Sequence, residues 1–548
     1  MTQSVPLTFP AIFSETVRKY GQYNAMTFVG EKPISYNEVK SQIDSLIVLL
    51  EKLSIKPGDR VAILSSNMPN WGITYYAVTF MGGVVVPLLP DFTPSEIENI
   101  LNHSEAKAIF VSENLEAKIS KIKNKFLKSR VKIEDFSIIE ADGEAQYSFI
   151  SRTSPATNYQ VEEDDMAAII YTSGTTGKSK GVMLSHKNIC FNAEKANVVQ
   201  NVKNSDRFLS VLPLSHTYEN TLGLILPMLA GACVYYLRKP PTPSVLLPAL
   251  KEVKPTLMLS VPLIIEKIYF NKILPAFTEK RLIRSLYKIP LIRKKLNIVA
   301  GKKLMQTFGG ELHFFGIGGA KLNKSVEEFL LEASFPYAIG YGLTETSPLL
   351  AGVNAKGTKL QSTGPSIEGM QIKINNPDKV TGEGEIWAKG PSIMKGYYKE
   401  PELTGEVITK DGWFKTGDLG IFDENNYLYI KGRIKDMIVG ASGENIYPTD
   451  IESVINTHKH VMESLVVQQK GKLVARVHFN REEIEEHYKH LKEEFAGYAD
   501  HKINELKTEL QEYVNTRVNK FSRIQIILEE KLPFKKTATQ KIKRFLYA

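Results

Sequence analysis

The strongest local signal in this 548-residue chain is Met166-Ala-Ala-Ile-Ile-Tyr-Thr-Ser-Gly-Thr-Thr-Gly-Lys-Ser-Lys-Gly181. Its first five residues, Met166–Ile170, predict a buried strand that runs directly into a loop of glycines, hydroxyls and lysines. Glycines let backbone N–H groups approach an anion closely, while hydroxyls and lysines add donors and charge. The pattern favours a phosphate-binding loop over a flexible linker, because a linker requires neither lysines nor a buried strand before it. The predicted phosphate-binding residues are Thr172, Ser173, Gly174, Thr175, Thr176, Gly177, Lys178 and Lys180.

The loop differs from the Walker A sequence of P-loop nucleotidases. That sequence has four residues between its first glycine and its Gly-Lys-Ser/Thr end. Here only two residues separate Gly174 from Gly177. The spacing therefore disfavours a P-loop ATPase or GTPase.

Around this stretch, short β-rich runs alternate with amphipathic helical patterns such as Tyr36–Leu53 and Ser95–Asn102. This alternation predicts an α/β protein with parallel sheets. After about Gln371, short strands between Gly, Pro and Asn turns predict a meander or small β-barrel. After about Lys435 a smaller α/β unit follows, with a charged helical region, Arg481–Thr516. The other predicted strands are Val61–Leu64, Ala108–Val111, Ala167–Tyr171, Phe208–Val211, Ala232–Leu237, Leu257–Val261 and His313–Ile317.

The composition is that of an ordinary globular protein, with 43% apolar and 24% charged residues, which excludes a wholly disordered or fibrous chain. Two cysteines, Cys190 and Cys233, cannot form a disulfide framework or a structural zinc site. A reducing compartment, the cytoplasm, is therefore expected. The first cation is Arg18, so no secretory signal is expected, and Pro227 and Gly231 interrupt the apolar run Thr221–Leu237, which disfavours a transmembrane helix.

Two further clusters carry chemistry. Tyr341-Gly-Leu-Thr-Glu-Thr-Ser347 places one carboxylate, Glu345, among hydroxyls, which suits Mg²⁺ held by one carboxylate and phosphate oxygens. A helix N-cap at Thr344 explains this cluster nearly as well. Asp411-Gly-Trp-Phe-Lys-Thr-Gly-Asp-Leu419 places Asp418 after a Thr-Gly turn, where its carboxylate can accept two ribose hydroxyls. A simple hairpin turn is the alternative there.

The three motifs, in this order and spacing, resemble those of the adenylate-forming (AMP-binding) superfamily, and the resemblance covers nearly the whole chain. Within it the chain is most similar to bacterial long-chain fatty acid–CoA ligases. Two positions depart from the common pattern: Ser179 replaces a usual Pro, and Gln540 replaces a frequent Gly before the catalytic lysine. Further matches are Pro213-Leu-Ser-His-Thr-Tyr-Glu219, Gly318-Gly-Ala320, Gly432-Arg-Ile-Lys-Asp436, Gly443-Glu-Asn-Ile-Tyr-Pro448 and Thr537-Ala-Thr-Gln-Lys541.

The resemblance implies a two-step reaction with ATP, Mg²⁺ and coenzyme A. A fatty acid carboxylate attacks the α-phosphorus of ATP to give acyl-AMP and pyrophosphate, and the thiol of coenzyme A then displaces AMP. No enzyme nucleophile is required, so the work falls on positioning and charge stabilisation. The implied domains are a large AMP-binding domain, residues 1–434, made of two parallel-type sheets with helices and a small β-barrel, and a small mobile C-terminal domain, residues 435–548.

The resemblance also implies roles for single residues. Lys541 would bridge the attacking carboxylate and the α-phosphate; Thr344 would bind the α-phosphate and Glu345 the metal. His216 would lie between the nucleotide and acyl sites, contacting the carboxylate or gating the acyl tunnel. Lys435 would be the hinge about which the small domain turns between half-reactions. The implied nucleotide-binding residues are Gly318, Gly319, Ala320, Tyr341, Gly342, Asp418 and Arg433, and the implied coenzyme A-side loop contains Gly440, Gly443 and Glu444.

The segment Lys280–Lys303 has nine cations and no acidic residue. Its charge therefore equals the formal net charge of the whole chain, +9. Leu282, Ile283, Leu286 and Tyr287 fall on one helical face with cations opposite. Such a helix suits peripheral contact with an anionic membrane, and an ordinary packed surface helix is the alternative. Nucleic acid binding is disfavoured because no recognised motif supports it.

Two alternative functions stay open beside the fatty acid–CoA ligase. The acyl group could go to the phosphopantetheine of an acyl carrier protein, whose thiol arm is the same. A non-catalytic lipid- or nucleotide-binding relative is the other alternative, although Thr172, Glu345, Asp418, Arg433 and Lys541 are all present. The preferred acyl chain length and the oligomeric state cannot be read from the sequence.

Overall fold

The computed structural model describes residues 5–141, 159–173, 179–440, 444–487, 498–537 and 541–547. Its strands up to residue 260 are β1 (Asn24–Phe28), β2 (Ile34–Ser35), β3 (Arg60–Leu64), β4 (Val84–Leu88), β5 (Ala108–Val111), β6 (Ser129–Lys132), β7 (Ile138–Ala141), β8 (Met166–Ser173), β9 (Ser179–Ser185), β10 (Arg207–Ser210), β11 (Cys233–Tyr236) and β12 (Leu257–Ser260). The next are β13 (Phe314–Ile317), β14 (Tyr337–Ile339), β15 (Tyr341–Gly342), β16 (Leu349–Ala351), β17 (Gln371–Asn375), β18 (Gly384–Lys389), β19 (Gly396–Tyr397), β20 (Phe414–Phe422) and β21 (Leu428–Arg433). The last are β22 (Ile438–Val439), β23 (Asn445–Ile446), β24 (Val461–Gln469), β25 (Lys472–Phe479) and β26 (Ile526–Glu529).

The α-helices up to residue 253 are α1 (Phe9–Tyr20), α2 (Tyr36–Lys52), α3 (Pro69–Phe80), α4 (Pro94–Ser104), α5 (His186–Gln200), α6 (Thr217–Glu219), α7 (Leu226–Ala230) and α8 (Pro243–Val253). The later ones are α9 (Pro262–Ile268), α10 (Leu274–Thr278), α11 (Arg281–Tyr287), α12 (Pro290–Thr307), α13 (Lys324–Glu332), α14 (Pro401–Val407), α15 (Pro448–Ile455), α16 (Arg481–His487) and α17 (Tyr498–Asn515). Two π-helical turns, Asn220–Ile225 and Tyr269–Ile273, follow α6 and α9. Short 3₁₀ turns span Glu113–Lys118, Thr344–Thr346, Ile434–Asp436, Lys520–Ser522 and Arg544–Leu546.

Two large sheets form the main framework. The first has the strand order β19-β9-β8-β4-β3-β5-β6-β7 and is parallel from β8 through β6. The second has the order β14-β13-β12-β10-β11-β1-β2 and is parallel except for β1 with β2. Continuous apolar strands such as Val61–Leu64 are wholly buried, as expected where helices cover both faces of a parallel sheet. The predicted α/β fold with parallel sheets is confirmed.

Four smaller sheets contain the remaining strands of the described residues, and two of them are the short pairs β15-β16 and β22-β23. One has the order β17-β18-β20-β21 and occupies the region where the sequence predicted a meander or small barrel. Another joins β24 and β25 antiparallel and adds β26 in parallel. The predicted helical region Arg481–Thr516 contains α16 and α17 within its described part.

The chain divides into two compact units. The first contains Met1–Ile374, Trp387–Thr416 and Phe422–Tyr429, and the second contains Asn375–Ile386, Gly417–Ile421 and Ile430–Ala548. The domain boundary predicted between residues 434 and 435 stays a prediction. Each unit has a hydrophobic core of its own: one around Phe308, Phe315 and Phe329 in the first unit, the other around Ile451 and Leu510 in the second.

Local sequence signals fix the start of helix α5 and, with it, the position of the buried side chain of Asn192. Its N-cap is Ser185, whose hydroxyl accepts from the backbone N–H of Asn188 (3.2 Å), while the Asn188 side chain accepts from the N–H of Ser185 (2.9 Å). This reciprocal pair fixes the start of the helix. Two turns later α5 carries Asn192, which is fully buried.

Candidate active site

The predicted phosphate loop connects two antiparallel strands. In the β8–β9 hairpin Thr172 lies opposite Lys180 and Ser173 opposite Ser179, so the structure brings both ends of the loop together. Tyr171, at the end of the buried part of β8, is hydrogen-bonded through its hydroxyl to Nδ1 of His103 (2.8 Å). The predicted ligands Gly174, Thr175, Thr176, Gly177 and Lys178 lie outside the described residues.

The Tyr341–Ser347 cluster forms a tight turn between β15 and β16. Thr346 is buried at its centre, and its hydroxyl accepts from the N–H of Leu343 (2.9 Å). Gly342 is required here, because a Cβ at this position would lie 1.7 Å from the carbonyl oxygen of Pro348. Thr344 and Glu345, in the 3₁₀ turn, are half-buried and project from this frame.

Asn192 of α5 anchors the same turn from outside. Its Nδ2 donates to the carbonyls of Leu349 (2.8 Å) and Thr346 (3.3 Å), and its Oδ1 accepts from the N–H of Leu349 (3.1 Å). All of these atoms are buried, so losing the amide would leave several of them without a partner. Sequence reasoning did not identify Asn192, since it lies more than 150 residues from the turn.

Tyr397 links the glutamate of this turn to the phosphate-loop hairpin. Its hydroxyl donates to Oε1 of Glu345 (2.9 Å), and its ring centroid lies 5.1 Å from Nζ of Lys180. The link is rigid because Tyr397 belongs to β19, which pairs with β9 at Val182, and because the N–H of Met394 donates to the carbonyl of Glu345 (2.9 Å). The first two motifs are therefore neighbours in space. Sequence reasoning missed Tyr397, and the only signal was a pair of tyrosines after Gly396.

A second aromatic residue joins the His216 block to the glycine motif. A Cβ on Gly318 would lie 3.0 Å from Cζ of Tyr218, and one on Gly316 would lie 3.2 Å from its hydroxyl oxygen. The glycines therefore let the ring of Tyr218 lie directly against the end of β13. Of the glycine-motif residues predicted to bind the nucleotide, Gly318 is buried and Gly319 and Ala320 are exposed.

His216 is half-buried and caps α6. Its Nδ1 accepts from the N–H of Tyr218 (3.3 Å). This bond needs the lone pair of Nδ1, so the neutral ring carries its proton on Nε2. The histidine and the tyrosine that contacts Gly318 are thus held together by one local hydrogen bond.

Glu219 lies deep in the protein beside this histidine. It is 2% exposed, and its Oε1 accepts from the hydroxyl of Ser210 (2.6 Å). Its Oε2 has no hydrogen-bond partner among the described residues. Burial disfavours the charged form and raises the pKa of this carboxyl to about 8, although the Ser210 hydroxyl acts in the opposite direction.

The Ser210 hydroxyl continues this network to the other large sheet. It accepts from Nδ2 of Asn67 (2.9 Å), and Oδ1 of Asn67 accepts from the N–H of Leu214 (2.9 Å). Asn67 follows β3 and Ser210 ends β10, so the network fixes the segment before His216 to the ends of strands in both sheets.

In the second unit, Asp418 and Arg433 form an ion pair. Nε of Arg433 lies 2.9 Å from Oδ1 of Asp418, whose side chain is only 7% exposed, while that of Arg433 is half exposed. Strand β20 supplies the aspartate and the end of β21 the arginine. The structure therefore brings Asp418, which was predicted to accept the ribose hydroxyls, together with Arg433, another predicted nucleotide-binding residue.

Lys435 is exposed within the 3₁₀ turn Ile434–Asp436. Farther along, the N–H of Gly440 donates to the carbonyl of Glu444 (2.8 Å), and a Cβ on Gly440 would lie 2.1 Å from Oε1 of Glu444. These two members of the predicted coenzyme A-side loop are thus in contact. The third, Gly443, lies outside the described residues.

Lys541 is exposed on the returning arm of a C-terminal hairpin. The N–H of Thr537 donates to the carbonyl of Lys541 (2.8 Å), and the N–H of Lys541 donates to Oγ1 of Thr537 (3.2 Å). Lys536 and Ile542 form a bridge that closes the two arms. Gln540 lies outside the described residues.

The chain is similar in sequence to proteins of one enzyme family. Residues 13–398 match the family model described as AMP-binding enzyme. The chain is 27% identical to the long-chain-fatty-acid–CoA ligase heimdall of Drosophila melanogaster, over 82% of this chain and 72% of the relative. It is also 27% identical to a chloroplastic long-chain-fatty-acid–[acyl-carrier-protein] ligase of Arabidopsis thaliana, over 86% of this chain and 76% of the relative.

Solved structures share the fold. One example is the o-succinylbenzoate coenzyme A synthetase of Bacillus subtilis in complex with ATP and magnesium ion, with a TM-score of 0.75, 21% identity and coverage of 97% of this chain and 98% of that chain. The family match spans most of the first unit, which holds the phosphate-loop hairpin, the Glu345 turn and the His216 block. The chain is therefore an enzyme that belongs to the AMP-binding enzyme family.

Proposed function

We propose that the protein is an acid–thiol ligase that activates a long-chain fatty acid as acyl-AMP, with release of pyrophosphate, and then transfers the acyl group to coenzyme A. The observation that carries the proposal is the Tyr397 bridge, because it joins a phosphate-loop lysine, Lys180, to the carboxylate of Glu345. A lysine can neutralise the phosphate chain of ATP while a neighbouring carboxylate binds the divalent cation that accompanies it. The names of the relatives support the choice of acid and thiol.

The residues around Glu345 fit Mg²⁺ bound together with a nucleotide. No cluster of three or more His, Cys, Asp or Glu side chains that could hold a metal occurs in the part of the chain that the structure describes. Mg²⁺ commonly uses one or two carboxylates and completes its shell with phosphate oxygens and water. The carboxylate of Glu345, which the Tyr397 hydroxyl holds in place, would bind the ion. Bound Mg²⁺ would supply charge neutralisation along the phosphates.

In the first half-reaction, a carboxylate oxygen of the fatty acid forms a bond to the α-phosphorus of ATP, and the bond to pyrophosphate breaks. Thr172 and Lys180 would hold the β- and γ-phosphates, and Thr344 the α-phosphate. Lys541 would offset the charge where the two anions meet, which is the main barrier to their approach. His216 would contact the carboxylate or gate the acyl tunnel.

In the second half-reaction, the thiol sulfur of coenzyme A attacks the acyl carbonyl and AMP leaves. We propose Lys435 as the hinge about which residues 435–548 turn between the two steps. Its exposure and its place in a single 3₁₀ turn suit a residue that absorbs a change in backbone dihedral angles. Gly440, Gly443 and Glu444 would then face the thiol, while Asp418 and Arg433 would keep the ribose.

The test measures pyrophosphate and AMP release over a series of fatty acids, with and without coenzyme A. Long-chain acids should give AMP, with thioester only when coenzyme A is present. Release of ADP, or no cleavage of ATP with any acid, would refute the proposal. Lys541→Ala should abolish acyl-AMP formation and largely spare thioester formation from supplied acyl-AMP, whereas Lys531→Ala, at another exposed lysine, should change neither.

A second acceptor is supported by one specific observation, the carrier-protein ligase among the relatives. An acyl carrier protein presents the same phosphopantetheine thiol as coenzyme A. Parallel assays with coenzyme A and with a holo acyl carrier protein decide between them. A higher kcat/KM with the carrier protein would show that the carrier protein, and not coenzyme A, is the preferred acceptor.

We also propose that the surface of Lys280–Lys303 contacts an anionic membrane. Leu282 and Leu291 are 74% and 77% exposed, and all nine cations except Arg293 are exposed around them. Arg293 instead pairs with Glu332 (2.6 Å). Lipid headgroups attract each such cation by about 1 kcal/mol near the surface, and the two leucines can enter the headgroup region. No helix in the described ranges has the length and apolar character needed to cross a bilayer.

Sedimentation with vesicles tests this surface. The protein should bind vesicles that contain phosphatidylglycerol and not vesicles of phosphatidylcholine alone, and Leu282→Ser with Leu291→Ser should weaken the binding. The matched control changes exposed lysines that lack such leucines, Lys121→Glu, Lys123→Glu and Lys125→Glu. Equal binding of all variants would refute membrane contact through this surface.

A further inference from the structure

The C-terminal hairpin that carries Lys541 is anchored by an arginine three residues later. Nη2 of Arg544 donates to Oε2 of Glu452 (2.5 Å), and Nη1 donates to the carbonyl of Val466 (3.4 Å). Nε of the same guanidinium lies 3.7 Å from Oδ2 of Asp436. One side chain thus connects the hairpin with α15, β24 and the turn that contains Lys435.

Glu452 makes this anchor specific. Its side chain is only 11% exposed, and its second oxygen, Oε1, accepts from the N–H of Val466 (2.7 Å). Burial raises the pKa of this carboxyl, and the charge of Arg544 opposes that rise. A planar guanidinium can serve two carboxylates and a carbonyl at fixed angles, which a lysine ammonium cannot reproduce.

Other contacts hold the two arms of the hairpin to each other and to the sheet of β24. Phe534 is buried, and its ring packs edge-on against Tyr547 at 5.1 Å, while the N–H of Lys535 donates to the Tyr547 hydroxyl (2.8 Å). Lys536 pairs with Glu463. These contacts fix the residues up to Lys536 and the ring of Tyr547, and the ion pairs of Arg544 tie the arm that carries Lys541 to α15 and to the turn of Lys435.

We propose that Arg544 is a positioning residue for acyl-AMP formation: by binding Glu452 and Asp436 it holds the arm that carries Lys541 at a fixed place relative to the turn of Lys435. The inference rests on the proposed function, which gives Lys541 and Lys435 their roles. Its consequence is selective. If the arm loosens, Lys541 is misplaced and the first half-reaction slows. The thioester step uses the coenzyme A-side loop instead, so its rate should change little.

The test removes the pair as a unit, since a single substitution would leave one buried charge without its partner and could unfold the protein. The variant Arg544→Met with Glu452→Gln is compared with Arg481→Met with Glu529→Gln. The control pair belongs to the same unit and has similar exposure, 30% and 10% against 24% and 11%. Thermal unfolding is measured for both variants, so that equal losses of stability can be recognised.

Two rates are measured for the full-length protein: pyrophosphate release with ATP and fatty acid, and thioester formation from synthetic acyl-AMP and coenzyme A. We expect the Arg544 variant to lose about ten- to a hundredfold in the first rate, as for a displacement of about 1 Å, and to keep the second rate within about twofold. Arg544→Lys should recover part of the first rate. The control pair should retain both rates.

Equal losses in both rates, or no loss in either, would overturn the inference. So would a control pair that shows the same selective loss. Lys541→Ala is measured in parallel to separate this result from a failure of the proposed function. If Lys541→Ala leaves pyrophosphate release intact, the lysine assignment itself fails; if it abolishes release while the Arg544 variant does not, only the role of Arg544 is refuted.

Discussion

Tyr397→Phe tests the bridge between the phosphate-loop hairpin and the Glu345 turn. The substitution removes one hydroxyl and keeps the buried ring, so β19, its pairing with β9 and the contact with Lys180 should persist. What is lost is the 2.9 Å hydrogen bond to Oε1 of Glu345. The consequence should therefore fall on the position of this carboxylate and not on the fold.

The magnitude follows from the type of bond. A hydrogen bond to a charged group contributes about 1.5–3 kcal/mol, and Glu345 is only half-buried, which reduces this to about 1–2 kcal/mol. Since 1.4 kcal/mol corresponds to a factor of ten, we expect a loss of about 5- to 30-fold. If Glu345 holds the metal, the loss should appear as a higher KM for MgATP and a higher Mg²⁺ concentration for half-maximal rate.

The assay is the initial rate of pyrophosphate release, measured over a grid of ATP and Mg²⁺ concentrations. The control is Tyr398→Phe, the same change at the next residue, whose ring packs against His103 at 5.7 Å and whose hydroxyl contacts no carboxylate among the described residues. An unchanged Mg²⁺ dependence in Tyr397→Phe, or an equal change in the control, would refute the assigned role of the bridge.

Two other substitutions test the site from different directions. Gly342→Ala would place a Cβ 1.7 Å from the Pro348 carbonyl, so the Glu345 turn must shift; we expect a loss of about 1–3 kcal/mol in stability and of most pyrophosphate release, and wild-type values for both would contradict the packing described. The substitution Glu219→Gln is tested through the pH dependence of protein stability. The wild-type carboxyl has a pKa of about 8, above its ordinary value of 4.5, so the folded state keeps a proton that the unfolded state releases, and stability falls as pH rises from about 5 to 8, by up to about 1.4 kcal/mol per pH unit. The glutamine variant should lose less thermal stability than the wild type between pH 5.5 and pH 8, and parallel losses would contradict the burial of an unpaired acid.

The framework of the fold followed from local patterns. The apolar run Met166–Ile170 is the core of β8, and Val61–Leu64 forms β3 after one added residue, Arg60. Such runs are read correctly because a strand covered on both faces is apolar along its whole length. The neighbouring positions of Thr172 and Lys180 could be predicted because one motif contains both residues. The ion pair of Asp418 with Arg433 joins two motifs, and the family resemblance had placed both residues at the nucleotide.

The partners of the candidate site residues were not predictable in this way. Tyr397 reaches Glu345 across 52 residues, and Asn192 reaches Leu349 across 157. Tyrosine and asparagine at these positions have no local pattern that distinguishes them from ordinary buried residues. Their roles arise only from the folded chain, in which Tyr397 is placed by the antiparallel pairing of β19 with β9 and Asn192 by the packing of helix α5. Glu219 belonged to a quoted motif, but its burial beside Ser210 depends on β10 and could not be read from spacing.

The short strand β19 also limits where a recombinant fragment of this protein can end. It lies at the end of the eight-stranded sheet, where Lys395 and Tyr398 donate their N–H groups to the carbonyls of Met183 and Gly181. A recombinant fragment that stops before Gly396 would leave β9 as an unpaired edge strand. Its free backbone groups could then pair with a strand of a second molecule. Expression boundaries drawn beyond Tyr398 avoid that source of self-association.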